Sequence, residues 1–276
     1  MLPLSFQKKY LTATKCNNSL LCIGLDTDVS KLPPSAQSKD DPVLYFNKSI
    51  IDATSDLVCC YKPNYAFYGA LGERGWPTLR ATIEHIPKNI PVIVDAKVGD
   101  IGNTSSLYAK MFFDELKADA LTVTPYMGED CVLPFLDYEN CTTFIVCLTS
   151  NKGANDFEKS VSDGVPLFER VINKALEWSI NKNCGLVIGA TQPDYFSRVR
   201  SLAPDMTLLI PGVGAQGGSP KEVVEYGQDT QGGGILVNSS RGIIFASPDE
   251  DYAQAARSAA KNLRDELNKY RNYPPS

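Results

Sequence analysis

The segment VIVDAKVGDIGNT (residues 92–104) begins as an apolar strand, passes through alternating charges and then enters a helix-like stretch. An apolar run followed by an amphipathic segment is typical of one unit of a parallel βα fold. The same pattern occurs eight times along the chain, with predicted strands at residues 20–25, 57–61, 91–95, 120–124, 143–148, 185–189, 207–211 and 234–237. Predicted helices include residues 43–55, 104–117, 166–181, 219–226 and 249–270. Because eight such units close into a barrel of about 250 residues, the sequence predicts an α/β protein, a (β/α)8 TIM barrel with a single domain over residues 1–276.

The composition indicates which binding partners and which cellular compartment the protein is expected to have. Hydrophobic residues make up 43% of the chain, enough for a large core. A net charge of −5 without a concentrated basic face argues against a nucleic-acid partner. Apolar runs are too short to cross a membrane, and the N-terminus lacks the pattern of a signal peptide. The eight cysteines are scattered and include no C-x-x-C pair, which favours free thiols and a cytoplasmic protein.

Candidate catalytic groups are restricted by the presence of one histidine, His85. Mechanisms that need a histidine base or several histidine metal ligands are therefore nearly excluded. Acid–base chemistry would fall to Asp, Glu and Lys.

Charged side chains end three consecutive predicted strands. Asp26 follows the first strand, Lys62 follows the second and Asp95 ends the third. In a barrel of this type, those strand ends meet at the catalytic face. Lys97 is two residues from Asp95 and shares its face of the strand, while Asp100 lies just beyond. Alternating carboxylates and ammonium groups tune one another's pKa, so the array is either a catalytic constellation or a structural ion-pair network at the barrel rim.

A glycine-rich turn, GVGAQG (residues 212–217), follows the seventh predicted strand. It fits the dinucleotide pattern G-x-G-x-x-G, but no acidic residue ends the next apolar run, where a ribose partner would be required. A phosphate cradle made by the last two loops of a barrel explains the turn better. Backbone amides and Gln216 would donate to the phosphate, and Arg241, directly after strand eight, would bind it bidentately. The sequence thus predicts a ligand that carries a phosphate group.

Together these motifs resemble orotidine 5′-phosphate decarboxylases, in particular the longer bacterial members of that family. The resemblance covers almost the whole chain and rests on DAKVGDIGNT (95–104), Asp26, Lys62, PGVGAQG (211–217) and SRG (240–242). The aspartate–lysine element alone is shared with sugar-phosphate aldolases and decarboxylases of the same superfamily. The combination of this element with Lys62 and the residues predicted to bind phosphate is more specific for the decarboxylase family.

The resemblance implies decarboxylation of orotidine 5′-monophosphate to uridine 5′-monophosphate without a metal or an organic cofactor, a step of de novo pyrimidine biosynthesis. It implies that Lys97 protonates C6 of the pyrimidine, that Asp95 lies beside the substrate carboxylate, and that Lys62 links the aspartates. Asp100 would reach across the interface of a homodimer into the neighbouring site. The residues implied in substrate binding are Asp26 and Thr104 at the ribose, Ser150 at the ring, Pro211, and Gln216 with Arg241 at the phosphate.

Two other functions remain open on the sequence alone. One is a metal-dependent sugar-phosphate lyase of the same barrel superfamily. The other is a barrel that binds a phosphate ligand without catalysis, although that function gives the lysine–aspartate array no purpose.

Overall fold

The computed structural model describes residues 4–214 and 217–272, and its centre is a barrel of eight parallel strands. The strands are β1 (Leu21–Gly24), β2 (Cys60–Lys62), β3 (Ile93–Val98), β4 (Ala120–Val123), β5 (Thr142–Leu148), β6 (Cys184–Ile188), β7 (Thr207–Pro211) and β8 (Ile235–Ser239). Neighbours follow the order β2-β1-β8-β7-β6-β5-β4-β3. Each predicted strand corresponds to one of these, so the predicted (β/α)8 fold is confirmed.

The barrel closes between β2 and β3 through isolated bridges. Tyr61 pairs with Val92 and Asn64 pairs with Asp95, in both cases in the parallel sense. The Asp95 amide also donates to the carbonyl of Pro63 at 2.9 Å. This closure places the end of β2 directly beside the middle of β3.

Helices cover the outside of the barrel, and their bounds are Pro34–Gln37, Pro42–Thr54, Tyr65–Gly69, Gly75–His85, Gly102–Ala109, Glu129–Leu136, Leu167–Trp178, Pro193–Leu202, Pro220–Gly227, Arg241–Ile244 and Tyr252–Asn268. Leu167–Trp178 shows why they pack there, because its buried residues recur at helical spacing: Phe168, Ile172, Ala175 and Trp178. The predicted helix at 104–117 begins at Gly102 and continues after Ala109 as a wider π-helical segment, Lys110–Glu115.

The loop between β5 and β6 contains short regular segments. A 3-10 turn spans Lys152–Asn155, and Val161–Ser162 pairs with Val165–Pro166 as a small antiparallel hairpin. Two further 3-10 turns lie at Val29–Lys31 and Gly72–Arg74.

An apolar floor fills the barrel interior from the amino-terminal end of the strands up to the base of the opposite mouth. Each strand contributes one buried residue to it: Cys22, Cys60, Ile93, Ala120, Phe144, Val187, Leu209 and Leu236. A helix that the sequence analysis did not predict, Phe6–Cys16, covers this floor with Phe6 and Tyr10. The Phe6 ring meets the Phe144 ring edge-on at 5.6 Å, and the Tyr10 hydroxyl donates to the Ile235 carbonyl at 2.9 Å. Water is thereby excluded from that end, and polar chemistry is confined to the opposite mouth.

Within the described part of the chain, none of the helices combines the length and apolar character that a membrane crossing requires.

Candidate active site

The carboxyl ends of the strands surround a cavity of about 430 Å³. Seven of the predicted site residues line it: Asp26, Lys62, Asp95, Lys97, Ser150, Pro211 and Arg241. They come from loops and strand ends that are far apart in sequence, and parallel strand direction brings them to one face. Gln216 lies outside the described residues.

Four of these side chains alternate in charge. Lys62 Nζ lies 2.9 Å from Asp95 Oδ2 and 4.0 Å from Asp26 Oδ1. Lys97 Nζ lies 2.6 Å from Asp95 Oδ1. The two lysines therefore bind different oxygens of the same carboxylate. Lys62 is 2% exposed, whereas the Lys97 side chain is 47% exposed. A ligand in the cavity can therefore reach the ammonium group of Lys97.

These contacts set the pKa values of the buried pair. Burial alone would raise the pKa of Asp95, but the charges of Lys62 and Lys97 outweigh it and hold that pKa well below its ordinary value. Burial alone would lower the pKa of Lys62, but Asp95 and Asp26 outweigh it and raise that pKa above its ordinary value. Both groups are therefore ionised at neutral pH, which makes the array a set of fixed charges.

Two uncharged side chains complete the surroundings of Asp95. Thr122 on β4 donates from Oγ1 to Asp95 Oδ1 at 2.9 Å. Asn64 donates from Nδ2 to Asp95 Oδ2 at 3.3 Å. Each carboxylate oxygen therefore accepts one bond from a lysine and one from a neutral group. The sequence analysis missed both residues, although Asn64 stands two positions after Lys62 and strand alternation could have found it.

Another side of the cavity is formed by the ends of β7 and β8. Gly212 and Gly214 have φ values of +102° and +79°, which residues with a side chain rarely adopt, so the turn requires glycine at both positions. The amides of Gly214, Gly217 and Gly218 donate to carbonyls of the same loop, so two of the glycine amides expected to bind a phosphate, those of Gly214 and Gly217, already have backbone partners. Arg241 is exposed at the rim of the cavity and, among the described residues, makes no ion pair.

Ser150 follows β5 and lies between these two sides. Its hydroxyl is 3.5 Å from the carbonyl oxygen of Pro211, and its carbonyl accepts a hydrogen bond from the Thr191 hydroxyl at 3.1 Å. A Cβ at position 189 would lie 2.3 Å from Ser150 Oγ, so the close packing here requires Gly189. The Ser150 side chain therefore lies against Gly189 and Pro211 at the side of the cavity.

Comparison with known proteins agrees with this geometry. Residues 19–257 match the family described as "Orotidine 5'-phosphate decarboxylase / HUMPS family". The chain belongs to this family. Relatives named orotidine 5'-phosphate decarboxylase include one from Bacteroides fragilis, 48% identical over 92% of this chain and 93% of the relative. One from Flavobacterium johnsoniae is 49% identical over 90% of this chain and 92% of the relative. The predicted resemblance to a decarboxylase of the bacterial type is confirmed.

The fold of this decarboxylase family member is also similar to solved structures. The OMP decarboxylase of Leishmania donovani superposes with a TM-score of 0.84 at 37% identity and covers 97% of this chain and 98% of its own. A putative orotidine 5'-phosphate decarboxylase from Streptomyces avermitilis superposes with a TM-score of 0.83 at 28% identity, over 98% of this chain and 97% of its own.

Two predicted residues of the decarboxylase motif lie outside the cavity of their own chain. The Asp100 carboxylate accepts a hydrogen bond from the Ile101 amide at 2.8 Å, and Thr104 is exposed in the first turn of Gly102–Ala109. Neither is among the residues that line the cavity. The structure therefore separates them from Lys97, although they follow it closely in sequence.

Asn238 is a further cavity residue to which the sequence analysis gave no role. It lies in β8, is 6% exposed, and its Oδ1 has no hydrogen-bond partner in the described chain. Asn238 Oδ1 is thus a buried acceptor beside the cavity that no group of the described chain satisfies, which is a costly arrangement. The predicted strand ended one residue earlier, which put Asn238 in a loop.

Within residues 4–214 and 217–272, no three His, Cys, Asp or Glu side chains lie close enough together to hold a metal ion.

Proposed function

We propose that this chain converts orotidine 5′-monophosphate to uridine 5′-monophosphate and carbon dioxide, as a step of pyrimidine biosynthesis. The observation that carries the proposal is the alternating array Asp26–Lys62–Asp95–Lys97 in the cavity of a chain that belongs to this family. The exposed ammonium at the end of that array is a proton donor aimed at the space where a ligand would sit.

The chemical step balances with Lys97 as the acid. The bond between C6 and the carboxylate carbon breaks, carbon dioxide leaves, and the electron pair stays on C6. Lys97 Nζ then gives its proton to C6 and is left as the neutral amine until solvent protonates it again. A fixed ammonium beside the developing carbanion stabilises it without reorganisation, because Asp95 already holds Lys97 in place at 2.6 Å.

Asp95 and Lys62 prepare the site for this step. We assign Asp95 to the position beside the substrate carboxylate, where the repulsion between the two negative charges is relieved when that carboxylate leaves as neutral carbon dioxide. The charge persists because two lysines and two neutral donors stabilise it. Lys62 holds Asp95 and Asp26 together, and we assign Asp26 to a hydroxyl of the ribose.

The remaining contacts bind parts of the nucleotide that do not react. We assign Arg241 and Gln216 to the phosphate, and Ser150 with Pro211 to the pyrimidine ring. Binding energy from a remote phosphate can be used to orient the base at Lys97. Arg241 and Lys97 line the same cavity from different strands, which supports this division.

We further propose that the active unit is a homodimer in which Asp100 and Thr104 serve the partner's site. Both residues lie outside the cavity of their own chain, on a segment that exposes two large apolar side chains, Ile101 and Leu107, each 59% exposed. Apolar surface of that kind is typical of an interface. A two-fold axis would then place the same segment over each cavity.

We place the protein in the cytoplasm. All eight cysteines are free thiols, and six of them are buried. Buried thiols of this kind suit a reducing compartment.

The reaction is tested by following the loss of absorbance of orotidine 5′-monophosphate with purified protein, with and without EDTA. We expect turnover that EDTA does not reduce. Activity lost with EDTA and restored by a divalent cation would favour a metal-dependent lyase instead, and absence of turnover would favour a binding protein.

Replacing Arg241 by alanine is expected to raise KM for the nucleotide by about ten- to a hundredfold, because one charge-assisted contact contributes about 1.5–3 kcal/mol. The measurement is steady-state kinetics with orotidine 5′-monophosphate and with orotidine, which lacks the phosphate and should show little change. Arg80→Ala, at an exposed position on Gly75–His85, is the matched control. Equal loss with both substrates would show that Arg241 is structural.

A further inference from the structure

The hydroxyl of Thr122 makes three hydrogen bonds beneath the catalytic cavity. Its Oγ1 accepts from the amides of Ala96 and Lys97, each at 3.0 Å. It donates to Asp95 Oδ1 at 2.9 Å. Thr122 is 0% exposed and does not line the cavity, so it cannot touch the substrate. One buried hydroxyl thus contacts three consecutive residues of β3, two of which belong to the charged array.

The ladder between β3 and β4 explains why a hydroxyl is needed there. Val94 pairs with Leu121 and Val98 pairs with Val123, so three residues of β3 face the single residue Thr122 on β4. Such a bulge removes regular backbone acceptors from the amides inside it. The side chain of Thr122 replaces those acceptors for Ala96 and Lys97, and buried amides without an acceptor would be costly.

The bulge also contains an unusual backbone conformation. Lys97 has a φ of +48°, in the left-handed region that residues with a side chain seldom occupy. A conformation of this kind persists only where surrounding contacts impose it. The bond from the Lys97 amide to Thr122 is one of those contacts, and the ion pair of Lys97 Nζ with Asp95 is another.

We propose that Thr122 is a positioning residue for the decarboxylation step, acting through the backbone of Lys97 and the carboxylate of Asp95. The hydroxyl holds the lysine in the strained conformation that directs Nζ into the cavity, and it orients the carboxylate oxygen to which Nζ binds. This inference rests on the proposed function of Lys97 as the proton donor. It predicts an effect on the chemical step rather than on substrate binding.

Two pairs of variants isolate the hydroxyl. Thr122→Val replaces the hydroxyl by a methyl group of similar size, and comparison with wild type tests the hydroxyl alone. Thr122→Ser and Thr122→Ala both lack the methyl group and differ from each other only by the hydroxyl. Thr143→Val is the matched control, because Thr143 is equally buried on β5 and its Oγ1 has no hydrogen-bond partner in the described chain.

We expect kcat of Thr122→Val and Thr122→Ala to fall by about ten- to a hundredfold with KM within about twofold of wild type. Thr122→Ser should keep kcat within about threefold of wild type, since it retains the hydroxyl. Binding of uridine 5′-monophosphate should be unchanged in all variants, and Thr143→Val should match wild type. Thermal unfolding of each variant accompanies the kinetics.

The positioning role is overturned if Thr122→Ser and Thr122→Ala have the same kcat, or if Thr122→Val keeps the kcat of wild type. It is also overturned if loss of activity only follows loss of folded protein. Should Thr122→Val not fold, the serine and alanine variants decide the question. A wild-type protein without turnover of orotidine 5′-monophosphate would instead contradict the proposed function, before any variant is compared.

Discussion

Lys97→Ala is expected to lower kcat for decarboxylation by at least about a thousandfold, because it removes both the proton donor and the cation beside the carbanion. Uridine 5′-monophosphate should still bind, since Arg241 and Ser150 are untouched. The fold should also persist, because the Lys97 side chain is about half exposed and Asp95 keeps its bond to Lys62 at 2.9 Å. The measurements are single-turnover kinetics, product binding by calorimetry and thermal unfolding.

A suitable control for this variant is Lys117→Ala. Lys117 is exposed, also has a positive φ of +60°, and does not line the cavity. Alanine keeps the Cβ atom that makes a positive φ unfavourable, so neither substitution relieves the backbone strain, and Lys117→Ala should keep the kcat of wild type. A near-normal kcat of Lys97→Ala would show that Lys97 does not take part in the chemical step.

Mixing inactive Asp100→Ala protein with inactive Lys97→Ala protein is expected to restore activity. In a mixed dimer, one site would keep both groups, and the other would lack both. With random exchange of subunits, half of the dimers are mixed and one of their two sites works, so about a quarter of wild-type activity should return. The measurement is activity after exchange, with mixed dimers quantified by two different affinity tags.

The matched control for this experiment is a mixture of Lys97→Ala and Asp95→Asn. Both residues line the cavity of their own chain, at 2.6 Å from each other, so each mixed dimer has two damaged sites and should stay inactive. If the Asp100→Ala mixture also stays inactive while the tags prove exchange, Asp100 acts within its own chain and the composite site is wrong.

The charged residues at the carboxyl ends of the strands could be predicted from the sequence, because each is marked by its immediate sequence neighbours. A charged residue after an apolar run, such as Asp26 or Lys62, indicates both the strand and the face to which it points. The order of parallel strands then brings these ends together without further information. The clustering of charged side chains around Asp95 could therefore be predicted from the sequence alone.

Thr122 and the Lys97 backbone could not be predicted in the same way. Thr122 is a single polar residue inside the apolar run of β4, where a threonine is an ordinary strand residue. Its importance depends on a bulge in the neighbouring strand, which is a property of the pairing and not of either segment. The left-handed conformation of Lys97 has no sequence signal because lysine does not favour it.

The helix Phe6–Cys16 has a consequence for how the chain is made. The acceptor of the Tyr10 hydroxyl, Ile235, is 225 residues further along. At 5–20 residues per second, the helix must wait roughly 10–45 s on the ribosome before that partner is synthesised. Until then the floor that its apolar face covers lacks its last strand. The helix Phe6–Cys16 is therefore made early but docks completely only after the last strand, β8, has been synthesised.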